Sequence, residues 1–250
     1  MEKELNWAVI GTGVIANEMA QALQKTDKTL YGVANRTQTK AIDFAKKYGV
    51  KKVYDEIDEV FDDENVDIIY LATSHNTHYQ FMKKALEHGK HLFVEKSITL
   101  NSRELDEMMA LAKEKNLILA EAMTIWHMPI YKELWKIVQS GELGKMQIMT
   151  VNFGSFKEYD MNNRFFNMNL AGGALLDIGV YALSIYSQVR VSTRILSPSL
   201  INSGTRISAP VSTVAGFKVL VAVLPLTPGS VAVTSSSTKL GISTLKTLPL

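Results

Sequence analysis

The chain has 250 residues, 46% of them hydrophobic and 21% charged, which are ordinary values for a globular protein. It has no cysteine, which excludes disulfides and thiolate metal sites. Residues 1–177 carry 21 basic against 25 acidic residues, a net charge of −4, whereas residues 178–250 carry six basic residues and no acidic one. Because these six cations form no cluster, we expect no nucleic-acid partner.

The start of the chain is charged, with Glu2, Lys3 and Glu4 where a signal peptide would turn apolar. We find no continuous apolar run as long as a membrane span, so we expect no membrane partner. These features predict a cytoplasmic protein.

The first half of the chain alternates short apolar runs with amphipathic helical stretches, the pattern of βαβ units around a parallel sheet. Asn101 and Glu104 have the spacing of a capping box at a helix start. The order of elements predicts an α/β Rossmann domain over residues 1–122. The predicted strands are residues 7–10, 30–34, 53–54, 67–72, 91–95 and 117–121, and the predicted helices are residues 15–25, 41–48, 77–87 and 101–115.

From Thr124 onwards the pattern changes. Residues 127–140 have a helical pattern, residues 146–156 alternate like a strand with one covered face, and residues 174–186 form an apolar helix. We therefore predict a second, α+β domain over residues 123–250.

The tail beyond residue 188 is rich in Ser and Thr, and only residues 219–224 suggest a strand. Two interpretations stay open: an all-β tail with solvated Ser and Thr faces, or sequence foreign to the fold, such as an out-of-frame segment. The complete loss of acidic residues favours the second interpretation.

A glycine loop follows the first predicted strand and matches the pattern G-x-G-x-x-G/A. The first glycine makes the tight turn, the second lets the backbone approach a pyrophosphate, and Ala16 lets the helix pack closely on the strand. The phosphates then lie at the helix N-terminus, where the N–H groups favour negative charge. The residues predicted to bind the cofactor here are Gly11, Thr12, Gly13, Val14 and Ile15.

The second predicted strand ends in Asn35 and Arg36, about where an NAD-specific protein places an acidic residue on the ribose 2′-hydroxyl. Because the planar guanidinium binds phosphate oxygens in pairs, Arg36 favours NADP, with NAD as the alternative. A solvated arginine at a helix start is the other interpretation.

Ligands of open α/β sheets bind beyond the carboxyl ends of the strands. Two such ends are rich in polar residues: residues 73–78 after one strand and residues 95–97 after the next. His75 and His78 have no carboxylate or cysteine at a ligand spacing nearby, so we expect cofactor contacts or loop capping and no metal. The residues predicted to contact the cofactor here are Thr73, Ser74, Asn76, His78, Glu95 and Lys96.

Four motifs in order along the chain resemble the Gfo/Idh/MocA oxidoreductases. They are Gly-Thr-Gly-Val-Ile-Ala at 11–16, Ala-Thr-x-x-x-x-His at 72–78, Gly-Lys-His-x-x-x-Glu-Lys at 89–96 and Gly-Gly-x-Leu-x-Asp-Ile-Gly at 172–179. The resemblance covers residues 5 to about 187. Most members have histidine at the position of Tyr181. With tyrosine there, this sequence is similar to the dihydrodiol and D-xylose dehydrogenase branch of the family.

The resemblance implies hydride transfer between a nicotinamide and a carbinol or carbonyl carbon of a sugar, polyol or diol, by a homodimer. It also implies that the second domain, residues 123–250, binds the substrate and forms the dimer face with a mostly antiparallel open sheet. Tyr181 would donate and accept the proton, and Lys96 would lower its pKa from about 10. Lys96 could itself carry the proton. Asp177 would orient the substrate hydroxyls or Lys96, although on the residues alone it could equally form a helix cap or a salt bridge.

Two departures from the family pattern bear on activity. Ser97 replaces the proline that usually follows Glu-Lys, which we expect to loosen the turn that holds Lys96. Nothing beyond residue 188 matches the family. The alternative function is therefore a catalytically impaired dinucleotide-binding protein, either a truncated or frameshifted remnant or a sensor.

Overall fold

The computed structural model describes residues 4–143, 149–154, 157–189, 216–223 and 231–236. The chain divides into two compact units. The first unit comprises Met1–Met123 and Met161–Asp177, and the second comprises Thr124–Asp160 and Ile178–Leu250. The predicted domain boundary after residue 122 stays a prediction, since a compact unit need not coincide with a domain.

A six-stranded parallel sheet forms the centre of the first unit, in the order β3-β2-β1-β4-β5-β6. This order, with its reversal between β1 and β4, is that of the Rossmann fold and confirms the predicted α/β fold. The strands are β1 (Trp7–Ile10), β2 (Gly32–Ala34), β3 (Lys52–Val53), β4 (Ile68–Leu71), β5 (His91–Val94) and β6 (Leu119–Glu121).

Helices cover both faces of this sheet and bury two apolar clusters. Ala16 and Phe44 belong to one cluster, whereas Met82 and Met108 belong to the other. Both faces of the sheet are thus covered, which is why its strands are almost continuously apolar in sequence. The helices are α1 (Val14–Gln24), α2 (Gln38–Tyr48), α3 (Glu59–Asp62), α4 (His75–Glu87) and α5 (Ser102–Glu114).

The start of α5 shows how far the predicted capping box holds. The Asn101 side chain accepts a hydrogen bond from the Glu104 amide at 3.0 Å, as predicted. The reciprocal bond differs, because the Glu104 carboxylate accepts from the amide of Leu100 at 3.1 Å instead of that of Asn101. The box therefore closes one residue further upstream than its usual form.

The described part of the second unit combines helices with an antiparallel sheet. A 3-10 turn (Thr124–His127) leads into α6 (Pro129–Ser140), and a π-helical turn (Leu175–Gly179) leads into α7 (Val180–Val189). The indole N–H of Trp126 donates to the Ser184 hydroxyl at 2.7 Å. The sheet has the order β7-β8-β9, with β7 (Thr150–Gly154), β8 (Gly216–Val223) and β9 (Val231–Ser236).

Most of the tail lies outside the described residues. The strand expected at residues 219–224 overlaps β8, which begins earlier and is described to Val223. The ends of the strand expected at residues 146–156 also lie partly outside them. Both interpretations of the tail therefore stay predictions.

Among the described residues, one segment, Met168–Ser187, is long and apolar enough to cross a membrane by length and composition. The expectation that no segment has this character is therefore wrong, because helical residues before and after Asp177 join into one apolar stretch. A single such helix is weak evidence for a membrane span. The Asp177 carboxylate lies near the middle of the segment and is ion-paired with Lys96, and a charge at that depth is costly in a bilayer.

A polar network around Asp63 lies beyond the amino ends of the strands. The Asp63 carboxylate is almost fully buried and accepts hydrogen bonds from Lys52 at 2.7 Å, Tyr54 at 2.8 Å and the Asn65 amide at 2.9 Å. Burial by itself would raise the pKa of Asp63, but these hydrogen bonds outweigh it and hold the pKa well below its usual range. Asp63 is therefore charged in the folded protein.

We expect Asp63→Asn to lower the free energy of unfolding by about 2–3 kcal/mol at pH 7, because buried donors lose a charged acceptor. The folded-state pKa lies below the unfolded value of about 3.9, so this stabilisation is present above that pH and is lost as the pH falls below it. Urea unfolding of both proteins between pH 3 and pH 7 checks this. The matched control is Asp62→Asn, whose carboxylate is largely exposed. A pH-independent difference would contradict the assignment.

Candidate functional site

The glycine loop between β1 and α1 has the geometry that a pyrophosphate needs. Gly11 has a φ of +108°, and a Cβ there would lie 2.4 Å from the Ala72 carbonyl oxygen, so only glycine fits. A Cβ on Gly13 would meet no atom within 4 Å, which leaves that side of the loop open to a ligand. Gly13 is the N-cap of α1 and forms no side-chain cap bond. The loop thus fits a dinucleotide phosphate at the helix N-terminus.

A cavity of about 820 Å³ lies at the end of β2. Asn35 and Arg36 line it, as expected for a ribose site, together with the apolar side chains of Ile57 and Phe81. Three acidic residues also line it, and sequence reasoning missed them. Two of the three have partners: Asp58 is paired with Lys84, and Asp55 accepts a hydrogen bond from Gln38. The third is Glu56.

Two buried histidines hold the loop that follows β5. The His75 Nε2 lies 2.9 Å from the Lys96 carbonyl oxygen, and the His78 Nδ1 lies 3.0 Å from that of Ser97. Burial lowers the pKa of both rings, that of His78 to about 4, so both are neutral at pH 7. Their contacts support the loop-capping interpretation. In the part of the chain that the structure describes, no group of three His, Asp or Glu could hold a metal ion.

The centre of the site is an ion pair between Lys96 and Asp177. The ammonium lies 2.9 Å from the Asp177 Oδ1 and also donates to the Asp177 carbonyl oxygen at 2.5 Å. The side chains are only 14% and 20% exposed, so the pair is largely shielded from water. The two residues are 81 positions apart, and the structure joins them within the first unit.

Ser97 adds a second bond beside this ion pair. Its hydroxyl donates to the Leu176 carbonyl oxygen at 2.8 Å, and the residue is 5% exposed. Successive carbonyls of the π-helical turn, Leu176 and Asp177, are thus bound by successive residues, Ser97 and Lys96. The expectation that serine loosens this turn is not supported, because the hydroxyl makes a bond that proline could not make.

Two carboxyl groups, one buried and one partly buried, lie near Lys96. Glu95, predicted to contact the cofactor, is 8% exposed and accepts a hydrogen bond from the Tyr70 hydroxyl at 2.5 Å. Glu121, which sequence reasoning missed, accepts from the Ile98 amide at 3.0 Å. Burial raises the pKa of both carboxyl groups. Both support the strand ends, and the cofactor contact of Glu95 stays a prediction.

Arg164 is a further residue of the site that the sequence did not single out. Its guanidinium lies over the Phe165 ring, and its Nη1 is 4.0 Å from the Asp177 Oδ1. Gly172 makes room for this loop, because a Cβ there would lie 2.6 Å from the Arg164 carbonyl oxygen. The Gly-Gly pair before the helix was the available signal for this close approach.

The remaining predicted residues fall in two places. The Thr73 hydroxyl accepts a hydrogen bond from Thr77 at 2.8 Å, and Ser74 is the N-cap of α4 without a side-chain cap bond. Asn76 lies in the first turn of α4. Tyr181 lies on α7 in the second unit, half-buried and four residues after Asp177 in the chain. Their roles in binding or catalysis stay predictions.

Comparison with known proteins gives a consistent family match. A model of an oxidoreductase family with an NAD-binding Rossmann fold, GFO_IDH_MocA, matches residues 5–123, and a model of the GFO/IDH/MocA C-terminal domain matches residues 131–190. The trans-1,2-dihydrobenzene-1,2-diol dehydrogenase of Mus musculus is 30% identical over 190 residues, and that of Homo sapiens is 31% identical over 188 residues. Each match covers 74% of this chain and 56% of the relative, so the chain spans just over half the length of these curated relatives.

Solved structures of similar fold include two enzymes at 25% identity. The aldose-aldose oxidoreductase from Caulobacter crescentus, complexed with glycerol, has a TM-score of 0.67, with 75% of this chain and 58% of that one covered. A 3-ketoreductase from Actinomadura kijaniata, in an open conformation with TDP-benzene and NADP, has a TM-score of 0.66, with 75% and 57% covered.

We expect Ser97→Ala to lower the free energy of unfolding by about 1–2 kcal/mol, because the partly buried Leu176 carbonyl loses the donor on the buried Ser97. Ser97→Thr keeps the hydroxyl, so its free energy of unfolding should fall less than that of Ser97→Ala. The control is Thr26→Val, which deletes an exposed hydroxyl bond of the same 2.8 Å length. Denaturant unfolding measures all three. Equal losses of unfolding free energy in Ser97→Ala and Thr26→Val would contradict a structural role for the Ser97 bond.

Proposed function

Because the chain belongs to the Gfo/Idh/MocA oxidoreductase family, we propose that it transfers a hydride between a nicotinamide dinucleotide and a carbinol or carbonyl carbon of a sugar, polyol or diol. One observation carries the proposal: the glycine loop and the Lys96–Asp177 pair both lie in the first unit, beyond the carboxyl ends of parallel strands. The names of the similar enzymes, dehydrogenases and oxidoreductases of diols and aldoses, support this substrate class.

For the cofactor we propose NADP, with NAD as the alternative. Arg36 lines the cavity at the end of β2 and suits a 2′-phosphate, and the similar 3-ketoreductase is complexed with NADP. The acidic residues of the same cavity limit this preference for NADP, because they repel the negatively charged 2′-phosphate. We therefore propose moderate selectivity for NADP.

In the proposed mechanism, the nicotinamide supplies or accepts the hydride at its C4 when bound. Tyr181 would donate or accept the proton of the substrate hydroxyl, and the family resemblance implies that the Lys96 ammonium would lower the pKa of the phenol from about 10. Asp177 holds that ammonium in one position through its two hydrogen bonds. Lys96 is the alternative proton carrier.

The rest of the chain enters the proposal through the family. We propose that the second unit is completed as an open, mostly antiparallel sheet and that the protein is a cytoplasmic homodimer. The alternative is a catalytically impaired dinucleotide-binding protein, a remnant or a sensor. It is favoured by one observation, that the family match ends at residue 190 although the chain continues to residue 250.

We expect Lys96→Met and Tyr181→Phe each to lower turnover at least about a hundredfold on whichever aldose, inositol or diol is oxidised, because each removes a group from proton transfer. The dissociation constant for NADPH should change little in Tyr181→Phe. The matched control for the tyrosine is Tyr186→Phe on the same helix α7. Steady-state nicotinamide absorbance measures turnover. Unchanged rates in both variants would refute these roles, and an inactive wild type that binds NADPH would support the alternative function.

Arg36→Ala tests the cofactor proposal separately. We expect the dissociation constant for NADPH to rise about tenfold, because a charged partner of the 2′-phosphate is lost, whereas that for NADH changes less than about twofold. Lys46→Ala on α2 removes the same charge at an exposed position outside the cavity lining and serves as the control. Nicotinamide fluorescence titration measures both constants. Equal weakening for both cofactors would exclude a 2′-phosphate contact.

A further inference from the structure

Asn17 directly follows the glycine motif, and the proposed function does not use it. Its side chain nevertheless makes four hydrogen bonds. The amide group donates to the carbonyl oxygens of Thr12 at 3.1 Å and Gly13 at 2.9 Å. Its oxygen accepts from the Tyr48 hydroxyl at 2.7 Å and from the Lys47 ammonium at 3.1 Å. The carboxamide therefore connects the glycine loop to the C-terminal end of α2, 31 residues away.

The partner side of this connection is firmly held. Tyr48 is 5% exposed, packs with its ring centroid 4.8 Å from that of Phe44, and accepts a second hydrogen bond from Gln21 at 3.3 Å. Burial would raise the pKa of the phenol, but the Lys47 and Gln21 contacts outweigh it and lower the pKa. Tyr48 is thus a fixed anchor for the oxygen of Asn17, and this leaves the two amide protons directed at the loop.

The two carbonyl bonds determine where the amides of the loop point. In a planar trans peptide the C=O and the following N–H point in opposite directions. Binding the Thr12 carbonyl therefore directs the Gly13 N–H away from Asn17, and binding the Gly13 carbonyl directs the Val14 N–H in the same way. These are the N–H groups at the start of α1 that face an anion. Glycine has no Cβ to restrict its peptides, so the loop needs an external restraint.

We propose that Asn17 is a positioning residue for the cofactor pyrophosphate: it orders the Gly13 and Val14 amides before the dinucleotide binds. This rests on the proposed function only in requiring that the chain bind a dinucleotide. The ordering lowers the entropy lost on binding, so it contributes to affinity without touching the ligand.

The test compares Asn17→Ala with Asn17→Asp. The aspartate keeps the acceptor for Tyr48 and Lys47 but cannot donate to either carbonyl, so both variants lose the side-chain bonds to the loop. Both keep the hydrogen bond from the Asn17 backbone amide to the Gly13 carbonyl at 3.1 Å, so the Thr12 carbonyl loses more of its restraint than the Gly13 carbonyl. We expect the dissociation constant for NADPH to rise about tenfold or more in each, from two lost hydrogen bonds. Adenosine 2′-monophosphate, which lacks the pyrophosphate, should bind within about twofold of the wild type. Gln24→Ala, which removes an exposed amide from the same helix, is the matched control.

A second variant keeps the loop bonds and weakens the anchor. Tyr48→Phe removes the 2.7 Å bond to the Asn17 oxygen and should weaken NADPH binding about threefold, less than either change at position 17. NADPH affinity that is unchanged in folded Asn17 variants would overturn the inference. So would equal losses for NADPH and for adenosine 2′-monophosphate together with a lowered unfolding midpoint, which would indicate a general effect on the fold. A wild type that binds neither NADPH nor NADH would instead overturn the proposed function, and the positioning role with it.

Discussion

The ion pair between Lys96 and Asp177 is the interaction on which the arrangement of the site depends. Either charge alone, at 14% or 20% exposure, would be costly to bury, so the fold must keep the two residues together. Lys96 follows β5. The chain leaves the first unit at Thr124 and returns to it at Met161, and Asp177 is the last residue of the returning segment. The pair therefore joins segment 161–177 to the carboxyl edge of the parallel sheet, and the neighbouring contacts of Ser97, His75 and Arg164 surround it.

The π-helical turn at Leu175–Gly179 provides the local backbone for this pair. A π turn departs from the i to i−4 pattern, so its carbonyls are open to partners outside the helix. Ser97 and Lys96 bind two of them, Leu176 and Asp177, and the Asp177 side chain then meets the same ammonium. Such turns often occur at functional sites. Here the π-helical turn fixes the direction of the Asp177 carboxylate at the last residue of the first unit.

Local patterns in the sequence predicted the Rossmann half well. The bounds of β1 agree with those expected, because an apolar run depends on neighbouring residues only, and the glycine loop has the geometry its motif implies. Contacts between distant residues were less accessible. No local pattern brings segment 161–177 to the first unit, shows that the Ser97 hydroxyl reaches Leu176, or places three carboxylates beside Arg36.

The division of the chain separates the binding residues from the proposed proton donor. The glycine loop, Arg36, Lys96 and Asp177 all belong to the first unit, whereas Tyr181, four residues later, belongs to the second. The first unit has its own buried core, so we expect its stability to depend little on the atypical tail. In the proposed mechanism, turnover needs Tyr181 held in one position and therefore requires order in both units. We expect dinucleotide binding to withstand changes in the tail better than turnover, because the two functions require different parts of the fold.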